Sequence, residues 1–157
     1  MDNLENDDQA PPPVEEAKPS LDFPTPAQAD HFLQALVDLT NRSEFSIGIT
    51  LQMDGFLVSG QLASGKAYFD GIASEMADSM GANTSAADAM RKYFSNFGNI
   101  YHQYNGDNDY IPPVYIHLRD AKFFHNSGSP VPGNRGVWWR GRITSVSGVM
   151  MGKLTAS

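Results

Sequence analysis

The chain of 157 residues contains no cysteine. That excludes disulfides, thiolate-held metals and a cysteine nucleophile, and with them any case for a secreted disulfide scaffold. No run comes near the ~18 consecutive apolar residues that a membrane-crossing helix needs. The opening residues, MDNLENDDQA, are acidic and lack an apolar stretch, so they do not read as a signal peptide. The expected setting is therefore soluble and cytoplasmic. Basic residues are also scarce, with 11 Lys and Arg against 18 Asp and Glu, a net charge of −7.

Where those charges stand matters more than their sum. Residues 1–25 hold Asp2, Glu5, Asp7, Asp8, Glu15, Glu16 and Asp22 against Lys18 alone. From Ile111 onward the balance reverses: Arg119, Lys122, Arg135, Arg140, Arg142 and Lys153 face the single acid Asp120. The acidic, proline-broken segment 1–24 cannot bury enough apolar surface to offset its ordering entropy and is expected to be disordered. Its plain role is solubility. Its sharper role is pairing with the basic C-terminal face of its own or another copy. Residues 25–157 are expected to form one domain.

Recognisable catalytic chemistry is missing. The histidines (His31, His102, His117, His125) form no H-x-x-x-H pair and have no nearby carboxylate set, so no metal or other cofactor is expected. Asp107 and Asp109 resemble the start of a calcium loop, but no glutamate completes it. Gly60 to Lys66 (GQLASGK) has the spacing of a phosphate loop, yet Ala67 follows it and it closes a hairpin. Ser64 and Ser127 have no visible base. The chain is not expected to be an enzyme.

Periodicity gives the elements. Thr25-Pro26-Ala27-Gln28 fits a capping box, and Phe32, Leu33, Leu36 and Val37 make a core-facing helical stripe ending near Asn41–Ser43. From Phe45 to Met53 the period changes to two, and Asp54-Gly55 predicts a type I′ hairpin turn into a return strand from Phe56 to Ala63. Residues 66–105 form a helical insertion of two helices broken at Gly81-Ala82-Asn83, the first weakened by Gly71 and the second capped from Ser85. Three further strands are predicted at Val114–Phe124, Gly136–Ile143 and Val149–Leu154. The fold class is α+β: an N-terminal helix with a five-stranded, strongly curved antiparallel sheet. A small Sm-like or SH3-like barrel is expected; the alternative is an open sheet covered by the helices.

The segment from Val137 to Arg142 (VWWRGR) concentrates both tryptophans beside arginines. Neighbours on a strand point to opposite faces, so Trp138, Arg140 and Arg142 share one face and Trp139 the other. On the preceding strand Val114, Ile116 and Leu118 face one way, and His117 and Arg119 the other; with Lys122 they complete a candidate binding surface in which His117 is expected to be exposed. An aromatic plate beside guanidiniums can stack on bases, bind an acidic segment, or form cation–π contacts inside the fold. The last is the bland reading, and it stands level with the others.

Three stretches carry a family resemblance: ITLQMDGFLVSGQLASGKAYFDGI (Ile49 to Ile72), YIHLRDAKFF (Tyr115 to Phe124) and PVPGNRGVWWRGRITSVSGVMMGKL (Pro130 to Leu154). Together they resemble the gas vesicle accessory protein U family. The resemblance covers the ordered domain and not the acidic tail. It implies a cytoplasmic, non-enzymatic accessory that associates with the vesicle shell or other accessory proteins, and with itself, in vesicle assembly or clustering. It supplies no functional residues. The alternative from another class is an Sm-like module binding RNA or single-stranded nucleic acid, against which the acidic balance counts.

Overall fold

The structure is a computed structural model that describes residues 28–43, 45–81, 83–102, 111–125 and 129–155. The acidic segment, Thr25 of the expected capping box and most of the loop before Pro112 lie outside the described residues.

The first helix, α1, spans His31–Arg42. Its cap is Asp30 rather than Thr25: the Asp30 carboxylate accepts from the amides of Phe32 and Leu33 and satisfies donors that a first helical turn leaves open. Starting the helix there turns Leu33 and Val37 into the core, whereas Phe32 is 53% exposed and leaves the expected stripe.

Strands β1 (Gly48–Met53) and β2 (Phe56–Ala63) pair antiparallel with Met53 opposite Phe56. The hairpin stands where it was expected, but its turn differs. Of its two central residues only Gly55 has positive φ, at 86°, the pattern of a type II rather than a type I′ turn.

Two helices follow, α2 (Gly65–Ser79) and α3 (Ser85–Gly98), capped by the side chains of Ser64 and Thr84. Gly81, at φ 86°, takes the left-handed position between them. A 3-10 turn at Asn99–His102 continues α3. Strands β3 (Tyr115–Phe124), β4 (Val137–Arg142) and β5 (Gly148–Met151) complete the chain.

The sheet order is β4-β3-β2-β1-β5. The two outer strands, β4 and β5, do not pair with each other, so the sheet is open and the expected barrel is replaced by its alternative. A physical reason lies in the cover: each face of the sheet is already buried by the chain's own segments. On one face α1 packs Leu33 and Val37 onto Ile49, Leu51, Val58, Leu62, Ile116 and Leu118. On the other face α2 lies against β3 and β4. The uncovered part of that second face, over β1 and β2, is crossed by the C-terminal residues. Thr50 Oγ1 donates to the Gly152 carbonyl, and the Leu154 amide donates to Ser59 Oγ, each at 2.8 Å.

The irregularity in the sheet falls at Asp120. Asp120 has φ 51°, and the register shifts beside it against both neighbouring strands, as a bulge requires. Its carboxylate accepts from the Gly136 amide at 3.1 Å and pairs with Lys153. At Gly141 the ring of Trp139 occupies the space a Cβ would need.

Candidate functional site

Strand alternation decides which side chains meet on the α2 face. In the β3–β4 register Tyr115 stands opposite Arg142, His117 opposite Arg140 and Leu118 opposite Trp139. Trp139 therefore packs with the α1-side core, while Trp138, Arg140 and Arg142 share the other face with Tyr115, His117 and Arg119.

That face is not one continuous binding plate. His117, expected to be exposed, is fully buried. It is enclosed by Tyr68 and Phe69 of α2 and by Tyr101 of the following 3-10 turn, with ring centroids 4.9, 6.3 and 5.4 Å away. The reason for the correction is the helical insertion, which folds back over the part of β3 that alternation alone assigns to solvent. Burial, reinforced by the Arg140 charge, pushes the His117 pKa down to about 3, so the ring is neutral at ordinary pH. Its Nδ1 has no hydrogen-bond partner among the described residues.

Arg140 lies over the Tyr115 ring, 3.5 Å from its centroid, and 5.9 Å from that of Phe69. This is the intramolecular cation–π contact weighed as the plain reading of the segment. Phe69 in turn stacks on Phe97 of α3 at 5.6 Å, and Phe97 meets Tyr93 edge-on. The helical aromatics thus form a chain of rings running from the buried His117 outward to the exposed Phe97 and Tyr93. Beside it, a depression of about 220 Å³ brings Arg140 together with Ile100, Ile111 and Val114. These helical aromatics are not among the candidate residues read from the sequence, yet Phe97 and Tyr93 reach the surface and Arg140 lies against Phe69. The signal was present in the pairing of Tyr68-Phe69 with the alternating Tyr115 and His117.

Trp138 and Arg119 meet elsewhere. Both line a cleft of about 610 Å³ between the end of α1, the start of α2 and the β2–β3–β4 sheet. The Trp138 indole rests on Gly71 and meets the Tyr68 ring edge-on. Arg119, Arg140, Arg142 and Lys122 form no ion pair with a described residue, and Arg119 and Arg142 are both exposed. Lys122 does not line the cleft and donates to the Asn134 carbonyl. Of the six expected surface residues, then, Arg119 and Trp138 converge in the cleft. Arg140 and Arg142 stand along the β4 edge, Lys122 is apart, and His117 is inside.

Among the described residues no group of three His, Asp or Glu could hold a metal, and no helix is long and apolar enough to cross a membrane. What the arrangement offers is uncompensated guanidinium charge beside aromatic and aliphatic surface on an open sheet edge. Arg and aromatic side chains in that setting are the usual anchors of protein–protein contact.

A family model described as Gas vesicle protein GvpU-like matches residues 30–154, most of the chain. No curated protein and no solved structure matches it.

Proposed function

The chain belongs to the GvpU-like family of gas vesicle proteins, and from that premise we propose that it is a non-catalytic accessory that associates with the vesicle shell or with other accessory proteins. It also associates with itself, and by these contacts promotes vesicle assembly or clustering. The observation that carries this reading is that Arg119 and Arg142 are exposed and form no ion pair with a described residue, Arg119 beside the Trp138 indole in the cleft and Arg142 on the β4 edge.

Such a surface fits a protein partner of acidic and apolar character. The guanidiniums supply charge complementarity, and the rings supply buried area at little entropic cost. The open β4 edge adds a row of outward backbone groups beside the same arginines, which a partner strand can extend. The nucleic-acid reading drew on a closed barrel as well as on the Trp138, Arg140 and Arg142 face, and the open sheet leaves it only the second.

Co-flotation of the purified chain with isolated gas vesicles tests the proposal. Binding that persists in the presence of competing RNA supports it; a chain that stays in the subnatant and binds the RNA overturns it.

A further inference from the structure

The 610 Å³ cleft has a composition that specifies its occupant. Its cations are Arg42, Lys66 and Arg119, against the single acid Asp70. Arg42 and Lys66 are engaged by Asp38 and Asp70, which leaves the Arg119 charge uncompensated among the described residues. The apolar part of the wall comes from Phe45, Leu62 and Trp138. The first turn of α2, which opens into the cleft, contains no acidic residue. A ligand suited to this cleft is an extended acidic peptide with one aliphatic anchor.

The acidic end of the chain supplies such a segment. Residues 1–8, MDNLENDD, hold four acids (Asp2, Glu5, Asp7 and Asp8), no base, and Leu4 among them. No comparable acid-rich stretch with an internal aliphatic residue and no base occurs in the basic third that begins at Ile111.

Length fits as well. The described chain begins beside the N-terminus of α1, and the cleft is lined by its C-terminus. A twelve-residue helix spans about 18 Å. The nineteen intervening residues 9–27 can span at most about 60 Å when fully extended, well over that distance. The tether is therefore long enough for the segment to reach the cleft of its own chain, and covalent attachment favours that cleft over one on another copy.

We propose that residues 1–8 dock in this cleft in cis, with the carboxylates toward Arg119 and Lys66 and Leu4 against Trp138 and Phe45. Docking places the segment on Arg119, so it competes with any acidic partner for that side of the domain. The inference concerns a contact within one chain and stands independently of the vesicle reading.

The absence of cysteine permits a clean test on the full chain. A spin label on Gln9→Cys lies just outside the docked segment. The two tryptophans report on opposite faces of the sheet: Trp138 in the cleft and Trp139 against the α1-side core. Docking predicts that the label broadens the Trp138 indole N–H several-fold more than that of Trp139, independently of protein concentration. The difference disappears in the Arg119→Glu background. It also disappears in the otherwise unaltered chain near 1 M salt, where charges are screened within about 3 Å. Equal or absent broadening overturns the proposal, as does a difference that survives both treatments. Broadening seen only when labelled chains are mixed with separate isotope-labelled chains assigns the contact to a second copy and overturns docking in cis.

Discussion

The indole of Trp138 occupies the space that a side chain on Gly71 would need: a Cβ there would stand 2.2 Å from the indole Cε2. This contact seats α2 on β4, and α2 then buries His117. It also explains a glycine that sequence reasoning could only count as a weakness in the helix. Helix propensity alone favours Gly71→Ala by about 1 kcal/mol. The contact predicts the opposite sign, a destabilisation of about 1–3 kcal/mol from overpacking. A denaturant midpoint that falls supports the contact; one that rises shows that the indole is free to move.

Burial of a neutral His117 makes stability depend on pH. Its pKa is lowered from 6.5 to about 3 in the folded chain, so between those values the unfolded chain binds the extra proton. Stability is complete above pH 6.5 and is lost as pH falls through that window, by up to about 1.4 kcal/mol per pH unit. The window sets it apart from Asp120, whose pKa is lowered chiefly by the Lys153 hydrogen bond and whose contribution, present above the ordinary carboxylate range, is lost only at lower pH. Urea titrations at pH 6.5 and 5 should therefore differ for the natural chain, and the difference should shrink in His117→Phe. An equal slope in that variant places the titrating group elsewhere.

Asp120 holds a left-handed backbone position while its carboxylate ties Gly136 and Lys153 to the bulge. Asn tolerates that conformation and keeps an acceptor, whereas a β-branched residue does neither. Asp120→Asn is expected to change stability by less than about 1 kcal/mol, and Asp120→Val to cost about 1–3 kcal/mol. Similar unfolding midpoints for the two variants would contradict this account of the bulge.

Much of the fold was legible in the sequence because local pattern fixes local structure. β2 begins and ends at the expected residues, Phe56 and Ala63, and the alternation in VWWRGR separates Trp138 from Trp139 as expected. The unreadable part was long-range. Whether five strands close depends on what covers them, and the cover comes from residues far along the chain, such as Gly71 on Trp138 and Leu154 on Ser59. His117 shows the same limit at the site: alternation gave its face correctly, but its burial depends on Tyr68, Phe69 and Tyr101, which approach from the insertion. Asp30 displaced Thr25 as the helix cap for a simpler reason, since both residue types cap well and spacing does not choose between them.

The most direct test of the central claim compares the natural chain with the double variant Arg119→Glu/Arg142→Glu in flotation with isolated gas vesicles, across a salt series and with RNA present. Both side chains are exposed and form no ion pair with a described residue, so thermal unfolding should be almost unchanged. If the arginine face carries the association, the variant loses at least about 1–2 kcal/mol of binding, roughly ten-fold in affinity, and the natural chain weakens as salt rises. A variant that floats with vesicles as well as the natural chain would contradict the account.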